Sequence, residues 1–132
     1  MSAIGLLLAL LALVVGVRAH AAKESLAPQF DRQVGGWMRA ERLPRSAVPG
    51  MRLFVASGCL TCHTYLGAGS RNLGAPDLTA EGRRGRGVAW QVRHLASPAS
   101  VVPGSPMPSF EALGRPRLRQ LAIFLEASKG RR

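Results

Sequence analysis

Cys59-Leu60-Thr61-Cys62-His63 gathers the most chemically able side chains of this 132-residue chain into one short segment. The spacing C-x-x-C-H is that of an attachment site for a c-type haem. Thiols three positions apart can form thioethers to the two vinyl groups along one edge of a porphyrin. The histidine that follows then falls under the ring and supplies a nitrogen to the iron. Three other uses of these residues compete. A structural zinc site takes four Cys or His ligands, and beyond this segment only His20 and His94 are of that type. A thioredoxin-like pair belongs in a βαβ setting, and the chain shows no convincing strand pattern. A plain disulfide suits an exported protein but leaves His63 without a role.

A c-type iron usually takes a second axial ligand, most often Met or His. The candidates are Met38, Met51, Met107, His20 and His94. Met51 precedes the motif on what should be the helix leading into it, so it cannot easily cross to the other face. Met107 sits inside Pro103-Gly104-Ser105-Pro106-Met107-Pro108-Ser109-Phe110. Prolines restrict their own backbone and that of the preceding residue, so this loop is stiff and extended. Such a loop can hold a weak thioether ligand with little further loss of entropy, which makes Met107 the expected distal ligand. As a plain hydrophobe it would instead fill a gap in the core. His94 competes from Val88–Leu95, a predicted helix ended by Ser97-Pro98.

The elements that must position these groups follow from periodicity. Leu118, Leu121, Ala122 and Leu125 form an i, i+3, i+4, i+7 stripe after Pro116, which suits a first helical turn. Phe54 in the helix before the motif and Phe124 in the closing helix are expected to meet where the two cross. Glycines at 67, 69, 74, 82, 85 and 87 mark a loop-rich middle. At the other end, Ala3 to Val17 is an unbroken apolar run. As a helix it covers about 22 Å, short of the ~30 Å hydrocarbon core. It is therefore expected to be a signal peptide or a membrane anchor within residues 1–21, with Ala19-His20-Ala21 resembling a cleavage pattern. The missing basic n-region, and Arg18 directly after the run, count against simple cleavage. Residues 22–47 read as a polar linker punctuated by Pro28, Gly35-Gly36 and Pro44. A short docking helix around Phe30, Val34, Trp37 and Met38 is compatible with it. Residues 48–130 form the remaining domain.

Lys+Arg 18 against Asp+Glu 7 gives a net charge of +11, and all but two of the bases are arginine. The bases are scattered, no stacking aromatics interleave with them, and no nucleic-acid motif occurs. Nucleic-acid binding is therefore not expected. A basic surface would favour an acidic protein partner or anionic lipid. A domain this small buries little surface and often needs a staple, and two cysteines allow one intrachain disulfide at most.

With these features in order, Val48 to Lys129 resembles the class I cytochrome c family. A helix (Pro49–Gly58) leads into CLTCH, followed by Pro76-Asp77-Leu78-Thr79, a Trp-bearing helix, the PGSPMPSF loop and a closing helix. The stretch from His63 to Gly69, leading to Ala75–Thr79, looks like the cytochrome c subunit of nitric oxide reductases and monohaem cytochromes of other respiratory complexes. The resemblance implies an all-α fold, helices wrapped around one covalently bound haem c. It implies haem thioethers at Cys59 and Cys62, and His63 and Met107 as axial iron ligands. It further implies that Pro76 packs near His63 and that Trp90 or a nearby arginine meets a haem propionate.

The expected function is electron transfer in a respiratory chain, outside the cytoplasm, with redox protein partners bearing acidic docking surfaces. Membrane association follows if the N-terminal segment is retained. The alternative is a fixed haem c subunit of a membrane oxidoreductase, nitric oxide reductase-like or associated with a terminal oxidase. An enzyme or gas sensor would need a distal catalytic pair, and none is evident.

Overall fold

The computed structural model describes the backbone of residues 3–130. It describes side chains from residue 30 onward and at residues 5, 7, 8 and 10–14. The chain divides into two units, residues 1–35 and residues 36–132. Helices dominate both, so the chain is all-α in class.

The first unit is helical throughout its described length, as the N-terminal part of α1 (Ala3–Glu41). Leu7, Leu8, Leu10, Leu11, Leu13 and Val14 are exposed there. Among the described residues, no helix is long and apolar enough to cross a membrane. The side chain of His20, and those of its neighbours in the suggested cleavage pattern, lie outside the described residues.

α1 extends the short helix compatible with Phe30, Val34, Trp37 and Met38 across residues 22–41 of the expected linker. It runs through Pro28 and Gly35-Gly36 instead of breaking there, although each glycine costs a helix about 1 kcal/mol relative to alanine. The second unit also begins at Gly36, ahead of the expected boundary at Val48. The physical reason is burial: Trp37, Leu43 and Ala47 all belong to the core of this unit. α1 stops where Pro44 forbids continuation, since the residue before a proline is driven out of the helical region. Arg42 takes a left-handed conformation (φ 51°). The Leu43 N–H bonds the Met38 carbonyl at 3.0 Å and the Arg42 N–H bonds that of Arg39 at 3.3 Å. This is the Schellman pattern.

The rest of the second unit comprises α2 (Val48–Ala56), a two-residue hairpin of β1 (Thr64–Tyr65) and β2 (Ala68–Gly69), α3 (Val88–Ala96), the single turn α4 (Pro98–Val101) and α5 (Arg115–Ala127). The hairpin is antiparallel, pairing Thr64 with Gly69 and Tyr65 with Ala68. It is too short to leave a periodic signature in the sequence. α5 packs on both α2 and α3. Leu118, Leu121, Ala122 and Leu125 are buried, as their spacing requires. Gly50 lets α2 approach closely, because a Cβ there would overlap the backbone carbonyl of Gln120 on α5.

An aromatic cluster fills the crossing. Phe54 and Phe124 meet with centroids 5.3 Å apart, as expected. Tyr65 lies 5.8 Å from Phe54, 5.1 Å from Phe124 and 5.0 Å from Trp37. These tilted and edge-on contacts are the favoured aromatic arrangements. The Tyr65 hydroxyl sits 3.1 Å from Ser128 Oγ, which itself donates to the Phe124 carbonyl at 2.9 Å. Tyr65 must therefore be the donor to Ser128. Burial pushes the Tyr65 phenol up to about 12, partly offset by the bond to Ser128.

Candidate haem site

Gly58 ends α2 in a left-handed conformation (φ 75°), a geometry glycine adopts without steric cost. The chain then makes a tight turn over Cys59–Thr61. The Cys59 carbonyl accepts from the N–H groups of Cys62 at 3.2 Å and His63 at 2.9 Å. Consequently both thiols and the imidazole of CLTCH emerge from one turn. The cysteines are free thiols of intermediate burial. Burial is the main cause that pushes the Cys59 thiol up to about 12, the opposite of the lowered value that activates a redox C-x-x-C pair. Among the described residues, no group of three or more His, Cys, Asp or Glu side chains is arranged to hold a metal ion. The zinc reading thus finds no ligand set there.

His63 is oriented from behind. Its Nδ1 donates to the Pro76 carbonyl at 2.8 Å, which leaves Nε2 directed away from that bond and, in the neutral ring, as the nitrogen with a free lone pair. A histidine whose second nitrogen is tied to a carbonyl has its tautomer and ring orientation fixed for metal binding. Pro76 itself is held by a network that anchors the segment after it. Thr64 Oγ1 donates to Asp77 Oδ2 at 2.6 Å and the Thr79 N–H donates to Asp77 Oδ1 at 2.8 Å. Leu66 N–H reaches Thr79 Oγ1 at 2.8 Å, and Leu78 N–H reaches the Thr64 carbonyl at 2.9 Å. Burial alone would raise the Asp77 carboxyl. The bonds from Thr64 and Thr79, with the Arg71 charge 3.8 Å away, outweigh it and hold the group below its ordinary range.

On another wall, Ser109 Oγ donates to the Ala96 carbonyl at 2.6 Å and Phe110 N–H donates to that of Leu95 at 2.9 Å. These bonds fasten the proline-rich loop carrying Met107 to the C-terminal end of α3. Trp90 stacks on His94 with centroids 4.8 Å apart and an interplanar angle of 16°. The Arg86 guanidinium lies 4.1 Å over the Trp90 ring.

These walls enclose a cavity of about 590 Å³ whose lining includes Cys59, Cys62, His63, Pro76, Trp90 and Met107. Every residue expected at the site thus faces one space. Its volume falls in the ~300–1,000 Å³ range of ligand pockets, and Phe54, Leu78, Leu95, Phe110, Leu121 and Leu125 make much of its wall apolar. Two thiols, an oriented imidazole and a thioether around an apolar cavity fit a covalently held haem. The other ligand candidates separate. His94 also lines the cavity, whereas Met38 and Met51 do not. Met51 is completely buried in the core instead.

Several contributors went unanticipated. Gln91 is buried, its amide donating to Glu81 Oε1 and Glu126 Oε1, each at 3.1 Å. Arg84 and Arg86 line the cavity, in keeping with the arginine expected near Trp90, and Arg84 also pairs with Glu81 at 3.0 Å. Only the Asp77-x-Thr79 clamp had a local signal, since an aspartate that bonds the N–H two residues on is a common turn former. Comparison with protein-family models, curated proteins and solved structures found no match to the chain.

Proposed function

We propose that the chain carries one covalently attached c-type haem and acts as a one-electron carrier rather than an enzyme. The observation that carries this reading is the shared cavity of Cys59, Cys62, His63 and Met107, with the His63 ring fixed by Pro76. Each cysteine would add its S–H across a vinyl double bond, forming one C–S bond with no net oxidation. His63 would offer Nε2 to the iron, made more basic by the bond from Nδ1 to the Pro76 carbonyl. Met107 would offer its sulfur from a loop already tied to α3. The haem supplies a ferric–ferrous couple, and methionine ligation tends to raise its potential. Arg84 and Arg86, with Trp90, suit the haem's acidic propionates. The apolar walls would shield a bound haem from much of the solvent. The small all-α body would then be a cytochrome c fold, with the haem standing in for the core that so short a chain lacks.

The net positive charge supports partners with acidic docking surfaces, and the apolar N-terminal run supports a place outside the cytoplasm. The exposed leucines from Leu7 to Leu13 favour a second reading, a haem c subunit fixed to a membrane oxidoreductase. Mass spectrometry of the natively expressed chain after denaturation tests the first claim. A mass increased by one haem is expected, and an unmodified polypeptide overturns it. Retention in membranes after a high-salt wash separates the fixed subunit from the diffusing carrier.

A further inference from the structure

We infer that His94 is a second distal ligand held in reserve, able to coordinate the haem iron when the Met107 sulfur is absent. The inference rests on the haem reading above, and three observations lead to it. First, His94 lines the same cavity as His63 and Met107. Second, the Met107 loop is bonded to the carbonyls of Leu95 and Ala96, the two residues that directly follow His94. The imidazole and the thioether therefore approach the cavity from adjoining backbone. Third, His94 Nδ1 is buried and has no hydrogen-bond partner among the described residues. Being buried, Nδ1 does not open onto the cavity. The nitrogen left to meet the iron is Nε2, which has no hydrogen-bond partner among the described residues either, so no bond need be broken for it to coordinate.

The ring is also prepared for the role. Its face is fixed by the stack on Trp90, so little side-chain freedom remains to be lost on binding. Burial, with the Arg86 charge next in size, holds the imidazole below its ordinary range. Met107, by contrast, offers a weak thioether. When that bond is lost, an imidazole already at hand would keep the iron six-coordinate and lower its potential.

The haem-bearing full chain decides the matter through its ferric spin state, read by optical and electron paramagnetic resonance spectra. Met107→Ala is expected to stay predominantly low-spin, lose the sulfur-to-iron charge-transfer band and acquire a bis-imidazole signature. Met107→Ala/His94→Phe, which preserves an aromatic ring against Trp90, is expected to become predominantly high-spin. External imidazole should return it to low spin. A Met107→Ala protein that is already high-spin overturns the inference. So does a double variant that stays low-spin, because the substitute ligand then lies elsewhere. Absence of covalent haem in the parent protein overturns the haem reading itself, an outcome distinct from either spin-state result.

Discussion

The Nδ1 of His63 lies 2.8 Å from the carbonyl oxygen of Pro76, thirteen residues further along the chain. That bond joins the C-x-x-C-H turn to the Pro-Asp-Leu-Thr segment, and Asp77 is what keeps the segment in place. The carboxylate takes bonds from a side chain before it and a backbone N–H after it. The orientation of a prospective iron ligand therefore depends on an aspartate that never faces the iron.

Replacing Asp77 by asparagine should loosen that hold. A charged hydrogen bond contributes about 1.5–3 kcal/mol, and the partial exposure of Asp77 reduces this to about 1 kcal/mol. The Asp77 carboxyl is held below its ordinary value. Its contribution is thus complete above the unfolded value of about 3.9 and disappears as pH falls through the folded one. Acid titration of the parent and Asp77→Asn should show the stability difference closing below about pH 4. A constant difference down to the most acid pH would contradict this assignment.

Tyr65 works in the opposite direction. Its phenol is buried and raised to about 12, so the folded state favours the protonated form. That stability is complete below the unfolded value near 10 and is lost as pH climbs from there through about 12. Tyr65→Phe removes the hydroxyl but keeps the ring contacts, and Ser128 still has the Phe124 carbonyl. We expect a loss of about 1 kcal/mol in chemical denaturation at pH 7. The variant should also show a weaker decline in stability between about pH 10 and 12.

Legibility in the sequence followed the range of the interactions. The C-x-x-C-H turn could be read because its geometry is set within five consecutive residues. The α5 stripe was readable because burial of Leu118, Leu121, Ala122 and Leu125 imposes a helical period. Met107 stood out through the prolines around it. By contrast, the continuation of α1 across Gly35-Gly36 depends on the burial of Trp37 and Leu43. That is a tertiary gain able to override local propensity. Gln91 gave no sign at all, because its partners Glu81 and Glu126 come from different parts of the chain.

Gln91 also supplies a severe electrostatic test. Its amide separates and satisfies two carboxylates in a buried setting. Gln91→Glu has nearly the same shape but would bring a third carboxylate against them, and burial of like charges disfavours ionisation. We expect a loss of about 2–3 kcal/mol at pH 7, largely recovered near pH 4 as the introduced carboxyl protonates. Thermal melts at the two pH values measure both effects. An equal loss at both would point to packing rather than charge.

Two glycines should respond with opposite signs. A Cβ at Gly36 meets nothing within 4 Å, and the residue lies within α1. Gly36→Ala should therefore stabilise by up to about 1 kcal/mol. At Gly50 the same methyl overlaps the Gln120 backbone of α5. Backbone cannot swing aside as a side chain can, so Gly50→Ala should cost about 1–3 kcal/mol or more. The urea midpoint of Gly50→Ala tests the α2–α5 crossing directly, and a neutral effect would show that the helices are not in close contact there.

The cavity sets the strongest expectation for haem removal. Without haem, the apolar walls of a cavity of about 590 Å³ lose their burial and face water. A chain this small has little stability to spare, since a typical domain holds only about 5–15 kcal/mol. Cys59→Ala/Cys62→Ala, prepared without haem, should therefore keep helical circular dichroism but lose a sharp thermal transition. It should also bind a hydrophobic dye, the signature of a collapsed chain without fixed packing. The haem-bearing parent should unfold cooperatively and leave the dye unbound. A steep transition in the haem-free variant, at a temperature near that of the parent, would mean that the protein closes its own core. The apolar space would then serve something other than a permanently bound haem.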